Sequence, residues 1–142
     1  MTSWTNYLVT NMELLLDTRT FLYAIFDDEK LPKHIKDTIS NPDNDVFVSI
    51  ASLWEIAIKN SKRPETMPYS VEEICNLMNQ TDYSFLPIHY THFFNLKEII
   101  AQQIHRDPFD HLLLATAKSE NFHLITCDEN MKKYNDVMLL SY

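Results

Sequence analysis

Residues 13–26 read ELLLDTRTFLYAIF. Leu14 to Leu16 form an unbroken apolar run that stops at Asp17-Thr18, after which Phe21, Leu22, Ile25 and Phe26 recur at helical spacing. The stretch therefore predicts a strand leading directly into a helix. A strand without polar alternation is covered on both faces, and that is the environment of a parallel sheet rather than of a hairpin.

The pattern repeats along the chain. Leu31-Pro32 opens a polar helix to about Ser40, Asn41-Pro42-Asp43-Asn44 makes a turn, and Asp45 to Val48 form a second strand. From Ser49 a helix is expected to bury Ile50, Leu53, Trp54, Ala57 and Ile58, while Ser52, Glu55 and Lys59 form its polar stripe. A looser stretch over 60–69 holds Pro64 and Pro68, and Ser70-Val71-Glu72-Glu73 is a capping-box start for a helix with Ile74, Leu77 and Met78. A strand is expected over 84–88 and a helix over 91–102. Asp107-Pro108-Phe109-Asp110 opens the next helix, followed by a strand at 123–126, a short helix at 128–134 and a strand at 137–140. Strands alternating with helices predict a single α/β domain, its central sheet mostly parallel and flanked by helices on both faces. That domain is expected over 12–142, with 1–11 a leader or disordered N-terminal extension.

Composition narrows the function. Twelve Lys and Arg against 20 Asp and Glu give a formal charge of −8, which argues against generic duplex binding, since that rests on neutralising phosphates with basic side chains. The balance leaves room for an enzyme whose acids hold a divalent ion, because the ion then faces the phosphate. No glycine occurs, so a Gly-rich nucleotide loop is excluded and tight turns must use Asn, Asp, Pro or Ser. Cys75 and Cys127 lack metal-site spacing and are expected to be free. With no positively charged start and no apolar run near the roughly 18 residues of a bilayer span, a cytoplasmic protein without membrane contact is expected.

Four carboxylates invite chemistry. Asp17 and Asp128 follow apolar strands, and ligands of open parallel sheets bind beyond the carboxyl ends of the strands. Each also has a structural reading as a helix cap, and Asp107 with Asp110 equally suits a helix N-terminus. Glu55 reads alone as part of a solvated face. Drawn together at one sheet edge, the four would repel one another unless they held metal.

The segments LLLDT (14–18), VSIASLWEIAIK (48–59), LPI (86–88), RDPFDHLLLATA (106–117) and LITCDENMKKY (124–134) together resemble a PIN-domain ribonuclease of the VapC-like type II toxin family. The blocks follow that family's order and span nearly all of 12–142. The resemblance implies an α/β/α sandwich, Mg²⁺- or Mn²⁺-dependent endonucleolytic cleavage of RNA by water that the ion activates, a cognate antitoxin as inhibitor, and a homodimer. It places the catalytic and metal-holding acids at Asp17, Glu55, Asp110 and Asp128, with Thr126, Ser52 and Asp107 in supporting roles and Ser49 as a small structural position. Three features depart from the family pattern: Arg19 stands where His is frequent, His111 where Arg is frequent, and the usual glycines are absent.

His105 and His111 flank the DPFD block. Because oxygen donors suit Mg²⁺ and Mn²⁺, they read as phosphate-binding or surface residues more than as ligands. His34, His89, His92 and His123 read as surface or capping positions. Phe21, Tyr23, Phe26, Phe93 and Phe94 read as core or as a dimer surface. The rival functions are a catalytically silent PIN-fold module that binds protein or RNA, and a phosphotransfer domain with Asp17 as nucleophile; the DxDxT pattern of the latter is broken at Arg19.

Overall fold

The computed structural model describes residues 11–142; the extension expected at 1–11 lies, apart from Asn11, outside them. The first strand, β1 (Glu13–Leu16), is followed by α1 (Thr18–Ile25), α2 (Lys33–Ser40), β2 (Asp45–Ser49), α3 (Ile50–Lys62), α4 (Val71–Met78) and β3 (Ser84–Leu86). A 3-10 helix (Tyr90–Asn95) then leads into α5 (Leu96–Ala101), α6 (Pro108–Glu120), β4 (His123–Thr126), a second 3-10 turn (Met131–Lys133) and β5 (Leu139–Ser141). The sheet order is β3-β2-β1-β4-β5, and every neighbouring pair is parallel. The mostly parallel sheet expected from sequence is thus wholly parallel.

Period-two alternation distributes the apolar strands between two cores. Leu14 and Leu16 of β1, Val46 and Val48 of β2 and Ile125 of β4 face a core closed by Phe21, Ile35, Ile56 and Ile74 from α1 to α4. Leu15 and Leu124 face the other, closed by Ile99 of α5 and by Leu113 and Leu114 of α6. Each Leu of β1 is fully buried, worth about 1.5–3 kcal/mol apiece relative to exposure. The result is a three-layer sandwich in which β1 sits at the centre. Chain order reverses there, β2 lying on one side and β4 on the other, and the crevice at the carboxyl end of β1 is the switch point where ligands of such sheets bind.

Local expectations hold where capping is explicit. Ser70 and Glu73 form the capping box of α4. With no glycine available, α6 closes on Asn121 at φ 61°, and Asn11 and Asp27 occupy the same left-handed region, as does Gln103. Cys75 and Cys127 are free. Other expectations change. β3 ends at Leu86, ahead of Pro87, which cannot continue a ladder. The helix expected over 91–102 divides into a 3-10 segment and α5. α3 continues through Asn60 to Lys62, where a loose stretch was expected.

The burial of α3 is corrected outright. The expected inward face does not form: Ile50 and Trp54 are 42% and 62% exposed, Ala57 is exposed, and Leu53 and Ile58 are only half-buried. Ala51, Ser52, Glu55 and Ile56 are buried instead. The reason is tertiary: the polar stripe faces a cleft, where Glu55 finds hydrogen-bond partners, and Trp54 packs edge-on against Phe109 of α6 with centroids 5.0 Å apart. His92 departs from its surface reading as well, because it is buried, accepts from the His89 N–H and pairs with Glu120. Phe21 and Tyr23 belong to the first core, whereas Phe93 and Phe94 are exposed. Among the described residues no helix is long and apolar enough to cross a membrane.

Candidate active site

A cleft of about 610 Å³ opens at the carboxyl ends of the strands, and Asp17, Glu55, Asp110 and Asp128 all line it. Each acid arrives on a different element. Asp17 caps α1 at the end of β1, Glu55 projects from the second turn of α3, Asp110 stands in the first turn of α6, and Asp128 follows β4.

Asp17 is buried, and both of its oxygens are occupied. One accepts from the Thr20 N–H at 2.7 Å, the other from the Thr126 hydroxyl. The Thr126 oxygen in turn accepts from the Asp128 N–H at 3.0 Å, so one hydroxyl ties the ends of β1 and β4 together. Burial raises the Asp17 pKa, and the Thr126 and Thr20 hydrogen bonds oppose that rise. Each oxygen keeps a further lone pair, so the two bonds orient the carboxylate without closing it to a cation.

Glu55 accepts from Thr18 Oγ1 at 2.7 Å on one oxygen and pairs with Lys59 Nζ at 2.8 Å on the other. Ser52 Oγ lies 2.9 Å from the Thr18 hydroxyl, a supporting position. Ser49 caps α3 by accepting from the Ala51 N–H. Asp128 caps the following turn, one oxygen accepting from the N–H groups of Asn130 and Met131 at 2.8 and 2.9 Å.

At α6 the work is divided. Asp107 is the cap, accepting from the N–H groups of Phe109 and Asp110, and Asp110 is bonded to His105 Nε2 at 2.6 Å. The Asp110 pKa is pushed up to about 7, first by burial and also by the charges of Asp107 and Glu55; the His105 contact works against both. His105, Asp107 and Asp110 each bring one donor atom within 4.8 Å of the others, which makes them a tight metal-capable group among the described residues. Asp17, Glu55 and Asp128 line the same cleft outside that group. In the sequence, the His105-x-Asp107-x-x-Asp110 spacing is the signal that points to His105.

The lining also includes the basic residues Arg19, Lys59, Lys62 and Arg63, of which Lys59 is paired with Glu55. Lys62 and Arg63, both exposed at the end of α3, were not singled out by motif. The donor set fits a hard divalent ion: carboxylates dominate, and the charge of a partly buried acid, Asp110, is disfavoured until a cation joins it.

Residues 14–137 match the family model described as the PIN domain. The chain belongs to the PIN-domain family. No curated protein matches its sequence. Among solved structures, this PIN domain is similar to a chain of VapBC2 from Rickettsia felis bound to a promoter DNA fragment, at TM-score 0.70 and 18% identity over 92% of this chain and 99% of that one. It is similar also to a chain of DNA-bound VapBC from Salmonella typhimurium, at TM-score 0.68 and 17% identity over 92% and 98%. VapBC-5 from Mycobacterium tuberculosis, described as a toxin-antitoxin system, matches at TM-score 0.56 and 20% identity over 91% and 96%. At such identities the likeness shows a shared fold.

Proposed function

We propose that this PIN domain is a divalent-metal-dependent endoribonuclease, the toxin of a toxin-antitoxin pair. The observation that carries the reading is the convergence of Asp17, Glu55, Asp110 and Asp128, from four elements, into one cleft at the switch point of a parallel sheet. The similar structures being toxin-antitoxin assemblies supports a cognate antitoxin as partner. The antitoxin would inhibit by seating an Arg or Lys against the acids.

The four acids would hold one or two ions, Mg²⁺ or Mn²⁺. When bound, the ion supplies a lowered pKa for water and a positive field for the phosphate. The chain's own residues prepare the rest. Thr126 and the Thr20 N–H hold Asp17 in one orientation, and Thr18 with Lys59 does so for Glu55. Lys62, Arg63 and Arg19 at the rim can take the flanking phosphates of a polynucleotide and set its register across the acids. Hydrolysis would leave a 3′-hydroxyl and a 5′-phosphate without a covalent intermediate. A homodimer belongs to the same reading. Of the aromatics read as core or dimer surface, Phe21 is fully buried and Tyr23 packs on the core, whereas Phe26, Phe93 and Phe94 stay exposed.

The test is cleavage of a mixed RNA pool by purified protein with Mn²⁺, with Mg²⁺ and with a chelator, using Asp110→Asn as control. Metal-dependent cleavage lost in the variant supports the reading. Binding of RNA without cleavage under every metal condition would replace it with the silent interaction module, and a sedimenting mass near 17 kDa at micromolar concentration would remove the dimer.

A further inference from the structure

We infer that His105 is a nitrogen ligand of the ion held at Asp110 and Asp107, and that it biases the site towards Mn²⁺ and other imidazole-accepting first-row ions over Mg²⁺. The inference rests on the metal-dependent reading above and adds a donor of a different chemical class to it.

His105 Nε2 and Asp110 Oδ2 are hydrogen-bonded at 2.6 Å, and because two donors at adjacent corners of an octahedron with bonds near 2.1 Å lie about 3 Å apart, an ion that displaced the shared proton would meet both atoms with little movement of either side chain. The side chains of both are mostly buried, at 14% and 16% exposure. The capping duty of Asp107 falls on its Oδ1, which leaves Oδ2 for the group. His105 is also pinned at both sides of its backbone: its N–H donates to the Tyr134 hydroxyl at 3.2 Å, and its carbonyl accepts from His111 Nε2 at 2.6 Å. Two side chains, His111 of α6 and Tyr134 from the segment after β4, thus hold its main chain in place beside Asp110. Because His111 Nε2 carries the proton of that bond, His111 is the support and His105 the candidate donor.

Imidazole separates the metals. Mg²⁺ takes oxygen and keeps its waters, whereas Mn²⁺ and the later first-row ions accept nitrogen readily. A site built from one imidazole and at least two carboxylates therefore discriminates between ions that an all-carboxylate site would treat more alike.

The experiment uses the full chain loaded with Mn²⁺ and read by pulsed electron paramagnetic resonance, with Mg²⁺ as competitor. Expected are ¹⁴N modulation from a directly bound imidazole, its replacement by the ¹⁵N pattern when histidine is ¹⁵N-labelled, its loss in His105→Gln, and a fall of about tenfold or more in the Mn²⁺:Mg²⁺ affinity ratio of that variant. His105→Asn serves if the Gln variant does not fold. Mn²⁺ bound without nitrogen modulation, or with modulation and affinity ratio unchanged in the variant, overturns the ligand assignment and leaves the nuclease reading standing. Failure of the wild type to bind Mn²⁺ at all would overturn both.

Discussion

The N-termini of α1 and α6 both begin on aspartate, yet they distribute cap and site differently. At α1 one residue performs both jobs: Asp17 accepts from the Thr20 N–H on one oxygen and from Thr126 on the other, and it lines the cleft with the same carboxylate. At α6 Asp107 takes the cap while Asp110, three residues on, is left to the cleft and to His105. A carboxylate that satisfies a helix N–H and a hydroxyl contributes those bonds to the fold even where, as at Asp17, burial raises its pKa. One held among other acids away from water opposes the fold in which it is charged. The same type of side chain should therefore give opposite stability effects at the two helix starts while giving the same effect on cleavage.

The largest expected effect is on that shared property. Asp17→Asn and Asp110→Asn should each lower metal-dependent RNA cleavage by several kcal/mol of transition-state stabilisation, on the order of 10³-fold, measured as initial rates on one RNA. Undiminished cleavage in either variant would remove that residue from the site and end the comparison.

Next comes the stability of the residue with two jobs. Asp17→Ala should destabilise the metal-free protein by about 2–3 kcal/mol in urea unfolding, since it removes a cap and leaves the Thr126 hydroxyl unpaired. Thr126→Val should cost about 1–3 kcal/mol for the same reason from the other side, stranding a buried Asp17 oxygen.

Asp110→Asn should go the other way, by about 1–2 kcal/mol or roughly 3–6 °C at pH 8 without metal. The sign follows from the raised pKa of about 7. In the unfolded chain the group titrates near 3.8, so the folded state binds the proton more tightly. This contribution to stability is complete below about pH 4 and is lost as pH rises through about 7. The advantage of the variant should therefore vanish in acid, and an advantage independent of pH between 4 and 8 would break the argument.

The smallest effect sharpens the division of labour. Asn caps helices about as well as Asp, so Asp107→Asn should leave stability within a few tenths of a kcal/mol while lowering the Asp110 pKa, because one of the charges that raises it is gone. Nuclear magnetic resonance titration of the Asp110 carboxyl reads this directly, and an unchanged pKa would remove the Asp107 charge from its causes.

Much of this architecture was legible because its causes are local. Five strands with helices between them, the Ser70/Glu73 box and the Asp107-Pro108 start each depend on a few neighbouring residues. What failed, failed where the cause was distant. The stripe Ile50, Leu53, Trp54, Ala57 and Ile58 is the more hydrophobic face of α3, but the chain buries Ser52 and Glu55, since Thr18 of another element supplies the hydrogen bonds that make a buried glutamate tolerable. His105 passed as a surface residue for a similar reason: its neighbours in sequence say nothing of Tyr134, which holds its backbone in place.

By itself, then, the sequence determined the parallel sheet and the places of Asp17, Asp110 and Asp128 at strand and helix ends, because strand burial and capping are encoded within a few residues of each position; the choice of the four acids as a set came from the family resemblance. Only the tertiary structure decided that Thr126 binds Asp17 and Asp128 together, that His105 rather than solvent meets Asp110, and that Lys62 and Arg63 line the same cleft as the acids. Those relations join residues up to 109 positions apart, and the order of strands around β1 creates them. No pattern along the chain carries that order, since a parallel crossover of either direction satisfies the same apolar run.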